Sequence, residues 1–265
     1  LACALWAFVR RGLATYLSYR AKLSLGLVSL VVSVVTFSFV GKVVAQAGPG
    51  FTERYGSDYA SFVVLGVAAH SIASSGLGCF RSALRKEQLQ GTLELTLTSS
   101  LPDTVVVLLS GLGEMVVTAI GGTVLLLVAA RAFGIGLDIA PSALPAVALY
   151  GLFMSGLGLA SAGTILVTKE GEPISWGFGA MSGLVGGVYF PVDLLPSWLS
   201  AVSRALPTTH ALSLVRQITP CEAGPAVGHS LAYLSLSAVA SLLLGLLTLR
   251  WCLRSARASG TLGHY

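Results

Sequence analysis

Apolar positions in this chain come in long unbroken runs, not in the alternation of a strand or the one-sided repeat of a surface helix. Six runs stand out: Leu23 to Ala45, Tyr59 to Phe80, Thr104 to Ala130, Ala143 to Thr168, Ile174 to Phe190 and His229 to Trp251. A span needs about 20 apolar residues to cross the hydrocarbon core, and lipid forces backbone groups to pair inside helices or closed barrels. Runs without alternation select helices, so the pattern predicts an all-α polytopic membrane protein with six transmembrane helices. The fifth run is the shortest. It leads into Pro191-Val192-Asp193-Leu194-Leu195-Pro196, then Ser197-Trp198-Leu199 and Pro207. Three prolines interrupt any continuous helix there, yet the leucines and Trp198 are too apolar for a free loop. This predicts a broken, re-entrant element over 189–207. The first 22 residues are amphipathic instead: Leu5, Val9, Leu13, Tyr16 and Leu17 share one helical face, with Arg11, Thr15, Ser18 and Lys22 opposite. That is the pattern of a helix lying in the membrane interface. A signal peptide would place its charges before its apolar run, whereas here apolar residues precede Arg10.

Composition agrees with a membrane protein. Of 265 residues, 54% are hydrophobic and 10% charged, with a mean hydropathy of +0.83, far from an ordinary soluble domain. The few cations set the expected orientation. With both termini in the cytoplasm, eleven basic residues lie on that side (Arg10, Arg11, Arg20, Lys22, Arg81, Arg85, Lys86, Lys169, Arg250, Arg254 and Arg257) and five opposite. This follows the positive-inside bias; the expected location is the cell's inner (plasma) membrane. The net charge of +5 is then a consequence of topology, and no nucleic-acid partner is implied. Of four cysteines only Cys221 faces outward, so no disulfide framework forms within one chain. Without repeat or linker, residues 1–265 read as a single membrane domain.

Against this apolar background the segment Arg81 to Glu94, RSALRKEQLQGTLE, is conspicuously charged. Arg85, Lys86, Glu87 and Glu94 are expected as solvated charges on a short helix beside the bilayer, placed to receive force from a soluble partner. Small residues recur at close-packing spacing in Gly151, Ser155, Gly158 and Ala162, and in Gly177, Ala180, Gly183, Gly186 and Gly187. Glu114 is an acid well inside an apolar run, and an unpaired charge there costs roughly 3 kcal/mol on insertion scales. It must face protein, water or a partner.

Several functions lose support from what is missing. No GxxxxGK[ST] loop occurs, so this chain does not bind ATP by that route. The four histidines form no HExxH or Cys/His spacing, and no metal site is expected. An ATP-independent channel or secondary carrier would carry ionisable groups at the midplane. Ser182, with His210 or His229 downstream, loosely fits an intramembrane serine protease, but a nucleophile needs its base within hydrogen-bond reach. With His210 in an outer loop and His229 at a span entrance, neither lies at the depth of Ser182. No catalytic residue is assigned.

Two ordered motifs carry a positive resemblance. Glu87, then Gly91-Thr92-Leu93-Glu94 and a proline at 102, resembles the loop between the second and third spans of the ABC transporter type-2 permeases. Gly187-Val188-Tyr189-Phe190-Pro191-Val192, Leu195-Pro196, Trp198-Leu199 and Pro207-Thr208 resembles the family's signature between the fifth and sixth spans. The run from Glu94 to Pro102 is slightly longer than is usual. The resemblance implies a coupling segment over 81–100, with Arg85, Lys86, Glu87, Gly91, Thr92, Leu93 and Glu94 docking on a separate ABC ATPase. It implies two ATPase copies holding ATP and magnesium, a second copy of the permease, and no cofactor on this chain. Tyr189, Phe190, Pro191, Leu194, Leu195, Pro196 and Trp198 would form an outer gate. The expected activity is export of an amphiphilic, lipid-linked, glycan or drug-like substrate.

Overall fold

The computed structural model describes residues 59–90, 102–133, 143–168, 173–189, 191–216 and 225–258, together with residues 6, 7, 9, 10, 28, 32 and 36 singly. Among the described residues there are seven α-helices, one 3-10 turn and no strand: α1 (Tyr59–Leu89), α2 (Asp103–Phe133), α3 (Ala143–Thr168), α4 (Pro173–Val185), η1 (Val192–Leu194), α5 (Ser197–Ala205), α6 (Pro207–Val215) and α7 (Pro225–Ala258). The fold is all-helical, as the run pattern requires. Among the described residues, three helices are long and apolar enough to cross a membrane, over Thr104–Val124, Ala143–Ile165 and Val227–Ala256. Helix α1 has the length, at 31 residues, but carries His70, Ser71, Ser74 and Ser75 in mid-course. The run Leu23 to Ala45 lies outside the described residues except for Val28, Val32 and Thr36, which are helical and exposed.

Glycine decides which helices touch. Helix α3 is the hub, meeting α1 on one side and α7 on the other, and on both sides the backbones approach closely. A Cβ on Gly76 would lie 2.7 Å from the Gly151 carbonyl and 2.6 Å from Ser155 Oγ, and one on Gly158 would run into the Gly76 carbonyl. Across the other seam a Cβ on Gly156 would collide with the Ser241 backbone, and one on Gly245 with the Gly156 carbonyl. Such approach without intervening side chains is how membrane helices gain dispersion contacts where no hydrophobic effect drives them together. Contacts advance in the same direction along all three chains, so α1, α3 and α7 run parallel. Helix α2 runs antiparallel to α1, with Phe80 filling the notch at Gly111 and Ile72 facing Gly122.

Two cores result, one toward each end of the bundle. Near the Tyr59 end, Ala73, Ala146, Tyr150, Met154, Leu212, Leu214 and Leu234 are buried together. Near the Leu89 end, Phe80, Leu84, Val107, Leu159, Leu249 and Leu253 form the second. The outer surface is apolar, including Val116, Ile120 and Val124 on α2 and Leu236, Val239, Leu243, Leu244 and Leu247 on α7. Exposed hydroxyls on these faces turn back onto their own helices: Thr118 donates to the Glu114 carbonyl, Thr123 to Ala119 and Thr248 to Leu244. This satisfies them without water.

Three expectations change in detail. The run Ile174 to Phe190 is not one helix: α4 ends at Val185 after 13 residues, about 20 Å of rise against roughly 30 Å of hydrocarbon. The chain turns at Gly186 and Gly187, where Gly187 takes φ 79°, a conformation that glycine reaches without a Cβ clash. The last helix extends beyond Trp251 to Ala258. Residues 81–89 are not a separate short helix but the continuation of α1.

Candidate functional site

The charged segment begins inside α1. No proline interrupts 59–89, so the helix runs about 46 Å without a break. At its end Arg85 is exposed and Lys86 half-buried, but Glu87 is buried, only 7% exposed. That corrects the expectation of a fully solvated charge: one helical face at this end packs inward while Arg85, on the other, meets solvent. Gly91, Thr92, Leu93 and Glu94 lie outside the described residues, as do 95–100. Of the first 22 residues Trp6, Ala7, Val9 and Arg10 are described; all are helical, with Val9 buried and the others exposed.

At the opposite end the prolines punctuate the chain. Pro191 precedes η1, Pro196 precedes α5 and its carbonyl accepts from the amides of Leu199 and Ser200 at 2.9 Å each. Pro207 opens α6 at a first-turn position where its missing amide costs nothing. The broken element over 189–207 is thus a 3-10 turn and a nine-residue helix, and a further helix starts at its last proline. Helix α5 is inside out by soluble standards. Ser200 and Ser203 are buried, whereas Trp198 is 69% and Val202 42% exposed. The inward hydroxyl of Ser203 donates to the Val185 carbonyl at 2.7 Å, and Thr209 donates to the Ser203 carbonyl at 2.6 Å. Leu195 is half-buried, Pro191 buried and Tyr189 half-buried; Phe190 and the side chain of Leu194 lie outside the described residues.

Beneath this element a chain of polar side chains joins three helices. Tyr150 Oη on α3 lies 3.0 Å from His70 Nδ1 on α1 and 2.9 Å from Thr208 Oγ1 on α6. Tyr150 and Thr208 are fully buried. Sequence reasoning missed His70 and Tyr150 and named Thr208 only as part of the proline-rich motif, although an ionisable His70 inside a predicted span is itself a signal, alongside Glu114. Arg216 was missed as well, as the cation ending the apolar α6. Its guanidinium donates to the carbonyls of Gly187 at 2.7 Å, Val188 at 2.9 Å and Phe62 at 3.3 Å, and sits 3.6 Å from the Phe62 ring centre.

The remaining candidates separate. Glu114 is half-buried on α2, within electrostatic reach of Cys79 on α1. Ser182 is buried and donates to the Gly179 carbonyl at 3.1 Å. His210 lies in α6, not in a loop, where it meets the Arg204 carbonyl and Ser230. His229 lies beside it with its ring tilted by 52°, 6.4 Å between ring centres. The geometry assembles no serine–histidine pair from Ser182 with either histidine. Among the described residues no group of three metal-ligating side chains occurs. Cys79 and Cys252 are free and buried.

The two small-residue stripes have different uses. Gly151, Ser155 and Gly158 pack against α1, as their spacing predicts. Gly177 faces open space, and Ala180, Met181 and Leu184 are exposed.

No curated protein matches the chain. The family model described as ABC-2 type transporter matches residues 4–219, which takes in the charged end of α1, the broken element and every described helix but the last. A match over that much of the chain, in agreement with the two motifs, shows that it belongs to the ABC-2 type transporter family, as the permease component of an ABC transporter.

Proposed function

We propose that this chain pairs with a second copy of itself and exports an amphiphilic, lipid-linked, glycan or drug-like substrate. ATP and magnesium bind two copies of a separate ABC ATPase. The partner docks on the coupling segment from Arg81 to Glu94 at the Leu89 end, which faces the cytoplasm with both termini. The broken element at the Tyr59 end then lies in the outer leaflet beside the exit.

The observation that carries this reading is the continuity of α1. One unbroken helix leads from the Tyr59 end into the charged segment, so a partner closing on ATP can move it as a rigid body. A free loop would absorb the same displacement. The outward apolar side of α5 supports the leaflet placement, because Trp198 and Val202 suit lipid better than water.

Exchanging Glu94 for Arg tests the docking. A solvated charge contributes little to stability, within about 0.5 kcal/mol, so the membrane domain is expected to fold while ATPase assembly or substrate-stimulated ATP hydrolysis falls. Full hydrolysis and full assembly after the reversal would make Glu94 a bystander.

A further inference from the structure

Arg216 ends α6 with its amide bonded to the Leu212 carbonyl, and its side chain joins the turn after α4 to a helix start that lies 154 residues before it in the sequence. The Gly187 and Val188 carbonyls belong to the turn leaving α4, whereas the Phe62 carbonyl and ring belong to the first turn of α1. Two features make room for this. Gly66 faces the guanidinium one turn further along α1, and a Cβ there would collide with it and come 2.6 Å from the Val188 carbonyl. Gly187 turns the chain through φ 79°, aiming two successive carbonyls at one cation. A planar fork with several donors can hold divergent carbonyls and a ring face together; a lysine ammonium cannot match that geometry.

We propose that Arg216 is a positioning residue that locks the η1, α5 and α6 block to the Tyr59 end of α1, so that displacement of the Leu89 end reaches the block through one rigid helix. This rests on the permease reading above. The lock is directional: its acceptors lie on both bodies, so moving α1 without the block would break the Phe62 hydrogen bond and the ring contact at once.

The test uses the full chain with the ATPase that co-purifies, in intact cells and in vesicles. A reporter thiol is placed by Ala211→Cys, a fully buried position on α6, with Cys221→Ser removing the native thiol that the proposed topology turns outward. The probe is an impermeant maleimide, used with no nucleotide and with ATP plus vanadate. Arg216→Gln, Arg216→Lys and Gly66→Ala disturb the lock from two different helices.

Without nucleotide, each variant is expected to label at position 211 at least about tenfold faster than the parent, as the loss of charge-assisted hydrogen bonds allows. With nucleotide, the parent's labelling changes and the variants' does not, while ATP hydrolysis stays within about twofold. Parental labelling rates in all three variants overturn the lock. Faster labelling with the nucleotide response intact overturns the positioning role. If the parent itself shows no ATPase and no nucleotide response, the permease reading fails, and the nucleotide-free rates still decide the lock. Should Arg216→Gln not reach the membrane, the Lys and Gly66→Ala variants carry the decision.

Discussion

Gly156 and Gly177 are the same residue in similar apolar helices, yet a Cβ on the first would collide with the Ser241 backbone, while one on the second would meet nothing within 4 Å. Backbone cannot swing aside as a side chain can. Gly156→Leu is therefore expected to destabilise the bundle by about 3 kcal/mol or more, the upper end for overpacking. Gly177→Ala should be neutral or slightly stabilising, since alanine is the better helix former by about 1 kcal/mol. Thermal unfolding of the detergent-solubilised chain reads both, and equal effects would undo the assignment of the α3–α7 seam. Tyr150→Phe keeps the ring but removes the hydroxyl between His70 and Thr208. Hydrogen bonds between membrane helices contribute modestly, so the expected loss is about 1–2 kcal/mol. Phe153→Ala in the same core serves as the scale for a larger cavity effect.

Helix α5 makes the sharpest prediction at the level of elements. Ser200 and Ser203 point in and Trp198 points out, an arrangement that leaves a large apolar ring wet unless something apolar covers it. In a variant whose other tryptophans are replaced by phenylalanine, Trp198 fluorescence should be quenched strongly by lipids brominated at shallow acyl positions. Quenching by aqueous iodide instead would place α5 in water and end the outer-leaflet reading. For α1, continuity past Phe80 predicts that a single cysteine at position 90 reacts only from the cytoplasmic side, while Cys221 reacts from outside. The reverse pattern would invert the topology drawn from the cation bias.

For the molecule as a whole, the long apolar stripes on α2 and α7 and the open side of α4 must meet lipid or another chain, because patches of that extent are not left in water. The proposed assembly predicts a purified complex of two permease and two ATPase chains. Native mass measurement would show it, and a monomeric chain with full transport in vesicles would refute it. The charged end of α1 and the Arg216 end of the bundle are joined by about 46 Å of one helix. Coupling between them therefore requires that this helix stay intact, which a proline introduced at position 78 would prevent. Such a variant should retain ATPase binding and lose the nucleotide response at the other end.

Long apolar runs, a scarcity of charge and the placement of Pro191, Pro196 and Pro207 determined by themselves that this chain is helical, membrane-embedded and broken after the fifth run. Those properties depend on local chemistry: backbone pairing in lipid, and a ring that cannot continue a helix. The GTLE motif and the proline-rich signature also made the family legible, although Gly91 to Glu94 lie outside the described residues. Tertiary structure alone decided that Glu87 is buried and that one glycine stripe packs while part of the other stands open. It also decided that His70, Tyr150 and Thr208 meet and that Arg216 reaches Phe62 from the far end of the chain. The last two are pairings between residues 58 to 154 positions apart. A sequence pattern records which side of a helix is apolar or small, whereas the partner across the seam is set by how whole helices dock.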